Sequence, residues 1–520
     1  MKTKKAIFFL FVFISYIPAL AQVDTAWVRR YGGPWNDNPI ALVVDSGGNV
    51  YVTGTSTGPG TAEDYLTIKY SPTGDILWVR RYNGPGNSRD AASALAVDNS
   101  GNVYVTGYSY GDGTSNDYAT IKYDPKGDIL WVRRYNGPTN YDDEAYALAV
   151  DVSGNVYVTG SSPDTGFASY DYATATYASK GAIVWVSRYN GPGNSGDRAL
   201  ALTVDGSRNV YVTGWSGGVG TYSDYATVKY ALNGDTLWVR RYNGPGNNYD
   251  AAHALAVDDS GNVYVTGYSW GSGTSDDYTT IKYAPNGDTL WIRCYNGPGN
   301  FIDEAIALVV DDSGNTYVTG RSQGNGTLYD YATIKYSPNG DTVWVRRYNG
   351  PENSNDEAQD LAPDGSGNIY VTGYSYDSAT SFDYVTIKYA PNGDTLWVKR
   401  YNGPGNGSDA PYALAVDAGG SVYVTGRDFD NGTLNDYATI KYVQFTCSAK
   451  PGDATGDNKV LLQDIVTIIN FLFKSHPAPN PSCRADANAD GSVLLSDIVY
   501  LINFLFKSGP VPQKSRECCL

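Results

Sequence analysis

The chain has 520 residues, 42% of them hydrophobic and 13% aromatic, with 46 tyrosines, 59 glycines and a formal net charge of −16. That length calls for several domains or one large repeat array with accessories. The negative balance speaks against nucleic acid or an anionic membrane as partner, since both need basic patches, and two histidines, His253 and His476, leave little for histidine-based catalysis.

Residues 1–21 open with MKTKK, run through AIFFLFVFISYIPALA and end on Ala19-Leu20-Ala21. A basic start, a short apolar stretch and a small-residue end form the pattern of a secretory signal peptide cleaved after Ala21, so a secreted or cell-surface protein is expected. The apolar run is short for a membrane span, and no later segment reads as one.

Residues 22–446 repeat a unit of about 53 residues eight times; its tryptophan falls at Trp27, Trp78, Trp131, Trp185, Trp238, Trp291, Trp344 and Trp397. A fixed period of this size marks a repeat architecture in which no unit buries its apolar face alone. Each unit carries four strand-like runs and no helical one: DAASALAVD at 90–98, GNVYVTGYS at 101–109, NDYATIKY at 116–123 and DILWVRRYN at 128–136. Val, Tyr, Ile, Thr and Trp fill them, and Gly, Asn, Pro and Asp punctuate between them. Four-stranded units of this length predict an all-β propeller of eight blades. The array opens on a fourth strand, DTAWVRRYGGP at 24–34, and closes on a third, DYATIKY at 436–442. The first strand is therefore expected to complete the last blade, sealing the ring and removing an open sheet edge.

The turns between first and second strands (DSGGN, DNSGN, DGSRN and relatives) read as tight hairpins in which Gly or Asn takes positive φ. The Asp of the DY pair recurs as Asp64, Asp117, Asp171, Asp224, Asp277, Asp330, Asp383 and Asp436. Eight equivalents point to a structural carboxylate, expected to tie each loop to backbone N–H groups. No catalytic residues are assigned. His253 stands where other units have Ser, Tyr or Leu, Cys294 replaces an Arg, and Asp142/Asp143 and Asp303/Glu304 are carboxylate pairs of undefined separation.

Variation concentrates in the loops after the second strand and the links between units, which share one face of a propeller. Tyr108, Tyr110, Trp215, Tyr268, Trp270, Tyr374, Tyr376 and Phe429 are the candidate ligand-binding residues. Aromatic rings among Asp, Asn, Ser, Thr and Gly suit stacking on sugars or gripping a protein. The D-x-x-GN-V-Y-V-T-G core and the following D-Y-x-T-x-K-Y resemble the bacterial β-propeller repeats known as SBBP. That resemblance implies a propeller and an exported protein but no particular reaction; the family is usually seven-bladed, whereas eight units are counted here.

Residues 447–520 change character. DATGDNKVLLQDIVTIINFLFKS (453–475) and DANADGSVLLSDIVYLINFLFKS (486–508) align with each other at a spacing of 33. Each opens on a loop with oxygen ligands at positions 1, 3, 5 and 12, and a backbone carbonyl at 7, which is the EF-hand arrangement for a hard cation. Two calcium sites are expected: Asp453, Thr455, Asp457, Lys459 and Asp464; and Asp486, Asn488, Asp490, Ser492 and Asp497. Pro451 prevents a helix before the first loop, and this doubled loop-then-helix pattern resembles dockerin type I modules. The resemblance implies docking to a cohesin-bearing scaffold through positions 10 and 11, here Leu462, Gln463, Leu495 and Ser496. The helices are apolar nearly all round, so part of that surface is expected to meet another body. Cys447, Cys483, Cys518 and Cys519 are expected to form one or two disulfides of unspecified pairing. The functional expectation is an exported, non-catalytic binding or scaffolding protein, with a polysaccharide-degrading glycosidase or lyase acting on the same loop face as the alternative.

Overall fold

The computed structural model describes residues 22–33, 35–58, 60, 62–164, 169–430, 434–445, 452–457, 459–474, 476–477, 479, 484–488 and 492–512. The predicted signal peptide, Phe167, Asn458, Asp490, Gly491 and the four C-terminal cysteines lie outside them. The chain divides into two units, Thr25–Val443 and a second containing Gln444–Leu520.

Each repeat begins with a hairpin that its own side chains hold shut. Asp98 Oδ1 accepts from the Ser100 and Asn102 amides, both at 2.9 Å, and its Oδ2 from Asn102 Nδ2 at 2.8 Å and the Tyr104 hydroxyl at 2.9 Å. Gly101 takes φ 77°, a left-handed conformation that glycine adopts without strain. From this hairpin run β6 (Asp90–Val97) and β7 (Val103–Tyr110), followed by β8 (Asn116–Tyr123) and β9 (Ile129–Tyr135), hydrogen-bonded in that order. Thirty-two strands among the described residues make eight such sheets. The first strands of successive units touch one another, so they form the inner wall. The fourth strands lie outermost, with Ile129 and Leu130 about half exposed.

The core is the set of layers between blades. Tyr51, Tyr65 and Trp78 of one unit pack on Val103, Val105, Ile121 and Tyr123 of the next. Polar atoms register the fit: Trp78 Nε1 donates to Pro125 O at 3.2 Å, Lys69 Nζ to the same oxygen at 3.3 Å, and the Tyr65 hydroxyl to Ala119 O at 3.1 Å. Burying each large aromatic contributes about 2–3 kcal/mol, so every blade depends on its neighbours.

The expected closure is observed. β1 (Gln22–Tyr31) pairs with β32 (Leu434–Phe445), which continues into β31 (Val422–Asp430) and β30 (Ala410–Val416) as one sheet. That composite blade meets the first with the contacts used elsewhere: Trp27 Nε1 and Lys441 Nζ both donate to Pro72 O at 3.2 Å, and the Tyr437 hydroxyl donates to Leu66 O at 3.4 Å.

The DY aspartates do not play the part expected of them. They meet the second arginine of WVRRY: Asp117 with Arg134 at 2.8 Å, Asp224 with Arg241 at 2.6 Å, Asp330 with Arg347 at 2.7 Å. A guanidinium buried beside a carboxylate satisfies it more strongly than neutral amides do. The loop amides are held instead by the Asp heading each first strand, as where Asp90 accepts from the Gly84 and Tyr110 amides at 2.6 and 3.1 Å. Cys294 interrupts the series, leaving Asp277 without a guanidinium, and burial pushes its carboxyl up to about 6. In the composite blade Arg30 pairs with Asp428, which stands where other units have serine.

In the second unit, α1 (Leu462–Lys474) and α2 (Leu495–Lys507) pack through Ile465, Ile468, Ile498 and Leu501. Phe473 and Phe506 stay 67% and 64% exposed, in line with apolar surface left over by two helices. No described helix is long and apolar enough to cross a membrane.

Candidate functional site

Two faces of the ring differ in kind. At the hairpin end, grooves of about 350 and 480 Å³ lie between neighbouring units, lined by the same turn Asp, Ser and Gly residues and by the third-strand Lys. They recur with the repeat and follow from the architecture. The opposite end, where second-to-third-strand loops and inter-unit links emerge, is where the repeat breaks its own pattern.

Four positions per unit converge there. The first strand supplies its second residue and the residue of its β-bulge, which pairs with nothing on the second strand, as Ser93 does between Ala92 and Ala94. The second strand supplies its sixth residue, opposite the first of these, and the third strand supplies its opening residue. Around the ring the sixth position reads Thr55, Tyr108, Ser161, Trp215, Tyr268, Arg321, Tyr374 and Arg427. The bulge position reads Ile40, Ser93, Tyr146, Leu200, His253, Ile306, Gln359 and Tyr412. The five residues preceding the sixth position keep the pattern V-Y-V-T-G almost throughout. Framework and mouth thus vary independently.

Charge gathers at two places on this mouth. Arg321 binds Glu304 of its own unit at 2.7 Å and Glu357 of the next at 3.3 Å, with its guanidinium 4.7 Å above the Tyr329 ring. Beside it, burial and the Glu304 charge lift the Asp276 carboxyl to about 6, and Asp276 Oδ1 is buried without a hydrogen-bond partner. In the second cluster Arg198 meets Glu144 at 3.4 Å and covers Tyr146 at 4.9 Å, while Arg89 pairs with Glu63 at 2.5 Å and lies 5.7 Å over Tyr108. His253 Nδ1 donates to Ala305 O at 3.1 Å, its ring stands edge-on to Tyr268, and burial lowers its pKa, so it is a neutral packing group. One residue further along the first strand every unit but one has alanine; the exception is Asp360. It accepts from the Leu361 amide at 2.8 Å and the Leu414 amide at 2.7 Å, and burial raises it to about 7.

The predicted aromatic residues separate into two kinds. Tyr108, Trp215, Tyr268 and Tyr374 occupy the sixth position, part-buried on the second strand, whereas Tyr110, Trp270, Tyr376 and Phe429 occupy the eighth, at the loops. Several are committed to packing. A Cβ on Gly246 would fall 2.2 Å from the Trp270 ring and one on Gly407 2.1 Å from Phe429, so both rings pack closely against link glycines. Tyr374 and Tyr376 flank Phe382 at 5.1 and 5.4 Å. Tyr110 is more open, and Tyr222 stacks with Tyr249 at 4.8 Å, both rings over half exposed. Sequence reading missed Asp276, Glu357, Arg198, Arg321, Tyr412 and Arg427. Aligning the eight units column by column exposes them, because charge appears there in columns that are otherwise small or aromatic.

In the C-terminal unit the loop carboxylates turn inward. Asp453, Asp464, Asp486 and Asp497 are all buried. The Thr455 hydroxyl lies 3.3 Å from Asp453 Oδ1 and 2.9 Å from Asp464 Oδ1, so positions 1, 3 and 12 of the first loop converge. Asp453 Oδ2 is held by Arg484 at 2.7 Å, and Asp457 Oδ1 caps the Lys459 amide at 2.9 Å instead of joining the group. In the second loop Asp497 accepts from the Ala487, Asn488 and Leu494 amides at 2.8, 3.2 and 2.8 Å. Among the described residues no three carboxylates come together.

With this geometry in place, the family model described as Beta-propeller repeat, SBBP, matches residues 26–60, 77–113, 130–168, 237–273 and 343–378. SBBP repeats are thus found at five places along the ring. Among curated proteins the chain is 24% identical over 488 residues to an uncharacterised WD repeat-containing protein of Acanthamoeba polyphaga mimivirus, covering 80% of this chain and 31% of that protein. It is 23% identical over 430 residues to the regulatory protein FlaEY of Caulobacter vibrioides, covering 75% and 41%. The chain therefore spans between about a third and two fifths of the length of these relatives. Solved structures similar to it include the propeller domain of the Trilobed protease from Pyrococcus furiosus, at 8% identity and TM-score 0.38, covering 67% of this chain and 92% of that one. An ulvan lyase, at 12% identity and TM-score 0.39, is covered over 80% and 95%.

Proposed function

We propose that this is an exported binding protein whose SBBP ring presents the loop-bearing mouth to a glycan, while the C-terminal unit anchors it elsewhere. The single observation that carries this reading is the contrast between a framework repeated eight times and four mouth positions per unit that change in size and charge from unit to unit. Selection for a scaffold alone would leave those columns as uniform as the rest. Tyrosine and tryptophan interspersed with charge supply stacking faces and directional hydrogen bonds, the chemistry that sugars require. A glycan array probed with the full chain, against a variant carrying Tyr268→Ala and Tyr374→Ala together, tests it: binding should fall at least ten-fold in the variant. Unchanged binding would remove the mouth from the argument.

For the C-terminal unit the proposal is a calcium-ordered docking module for a cohesin-type partner. It is supported by the duplicated loop sequence and by the convergence of Asp453, Thr455 and Asp464. Asp453, Thr455, Asp457, Asp464 and the Lys459 carbonyl would hold one ion, and the corresponding residues from Asp486 to Asp497 the other. Calcium there would supply charge neutralisation for carboxylates that burial otherwise penalises. Exposed Leu462 and Leu495, with Gln463 and Ser496 beside them, would then meet the partner.

One observation favours the enzymatic alternative. Asp276, with its carboxyl near 6, adjoins Glu304, which Arg321 binds at 2.7 Å, and a pair of neighbouring carboxyls is what glycosidic cleavage uses. Reducing-end release from a polysaccharide panel, lost in Asp276→Asn, would establish that reading; no release removes it.

A further inference from the structure

Arg427 and Arg321 occupy the same column of the mouth, two units apart, in opposite circumstances. Arg321 is saturated by Glu304, Glu357 and the face of Tyr329. Arg427 makes no ion pair, hydrogen bond or ring stack with any described residue, and its Nε is buried without an acceptor. Opposite it in the sheet stands Ala410, which offers no polar side chain. Its charge is felt by the hydroxyl of Tyr412, the bulge residue of β30, which in turn acts on Tyr374. Phe382 backs Tyr374 at 5.1 Å. A guanidinium nitrogen shut away from water with nothing to donate to is costly, and proteins seldom keep one without a use.

We infer that Arg427 is the anion anchor of the mouth, and that the ligand is an oligosaccharide bearing a carboxylate, a uronate whose ring lies against Tyr412 and Tyr374. This rests on the glycan-binding reading above and narrows it. The planar guanidinium presents a fork matched to a carboxylate, two parallel N–H donors to two oxygens. The tyrosine rings supply the apolar platform that a sugar face requires beside its charged group. A net charge of −16 repels densely charged polymers, which favours isolated carboxylates over runs of sulfate.

The test uses the full chain and three probes: an otherwise neutral oligosaccharide carrying one uronate, the same oligosaccharide after reduction of its carboxyl to an alcohol, and a glutamate-rich peptide. Calorimetry should show the uronate bound at least ten-fold more tightly than its reduced form, a preference that Arg427→Gln abolishes while leaving the melting temperature unchanged. Arg321→Gln, which leaves Glu304 and Glu357 unpaired, should lower the melting temperature and so reports that structural loss is detectable. Equal affinity for both oligosaccharides, or a preference surviving Arg427→Gln, overturns the inference while the glycan reading stands. Binding of the peptide alone, through Arg427, overturns the ligand class. Failure to bind any glycan, with correct folding, overturns the underlying reading as well.

Discussion

Replacing Cys294 with arginine should stabilise the ring, with a gain that depends on pH in a defined direction. In neighbouring units an arginine at this position spans the third-strand Asp, the second-strand Ser and the last Tyr of the preceding blade. Arg241 does so with Asp224 at 2.6 Å, Ser216 O at 3.0 Å and the Tyr189 hydroxyl at 3.0 Å. The fifth unit retains Asp277, Ser269 and Tyr242 but has lost the guanidinium between them. Burial lifts the Asp277 carboxyl from 3.8 to about 6, which penalises its ionised form by up to about 3 kcal/mol at neutral pH. Asp277 is only partly buried, and solvent screening reduces the recoverable part to about 1–2 kcal/mol. Because the folded state holds this proton more tightly than the unfolded chain, parental stability falls as pH rises from about 4 to about 6 and then levels off. Cys294→Arg should therefore add about 1–2 kcal/mol at pH near 8 and much less at pH near 4.5. Denaturant unfolding of both proteins at the two pH values measures this. An equal gain at both, or none at pH 8, would refute the account of Asp277.

Other consequences are as direct. Trp131→Ala removes an aromatic that is 7% exposed and its bond to Ser179 O at 3.2 Å, and should cost about 3–5 kcal/mol in thermal unfolding. Removing residues 22–31 bares the edge of β32 and should produce aggregates visible by light scattering; scattering unchanged from the parent protein would contradict the closure. Asp360→Ala restores the alanine of the other units and deletes a carboxyl raised to about 7, so its stabilising effect should grow between pH 5 and 8 in paired melts. Calcium should raise the melting temperature of the C-terminal transition in calorimetry, and Asp464→Asn with Asp497→Asn should abolish the response; chelator-insensitive melting would count against both sites.

The ring was legible because its information is local and repeated. The hairpin Asp, the V-Y-V-T-G strand and the interblade Trp each declare themselves within one unit, and eight copies average away the ambiguity. The offset between the Trp27 strand and the Tyr442 strand was enough to predict closure. Partners across the fold were less legible. Asp117 and Arg134 are 17 positions apart and Glu304 and Glu357 sit on different units, so nothing in one unit's text says which groups meet. The aromatic residues chosen from sequence lie at the sixth and eighth positions of the second strands, and Trp270 and Phe429 pack against link glycines, a contact visible only once the backbone is traced. The charged columns were missed because reading unit by unit searches for motifs, whereas recognition here is written across units.

The seam between β1 and β32 imposes an order of events during synthesis. The fourth strand of the last blade is the first part of the ring to be made, and its proper neighbour follows roughly four hundred residues later. Until then that early strand faces seven third strands almost indistinguishable from its own, each already taken by the fourth strand that follows it in the chain. Only the terminal copy arrives without one. Fidelity of closure therefore draws on vacancy as well as on the Arg30–Asp428 pair that only this seam carries. A truncation anywhere within the array would create a new vacant place and a smaller or jammed circle.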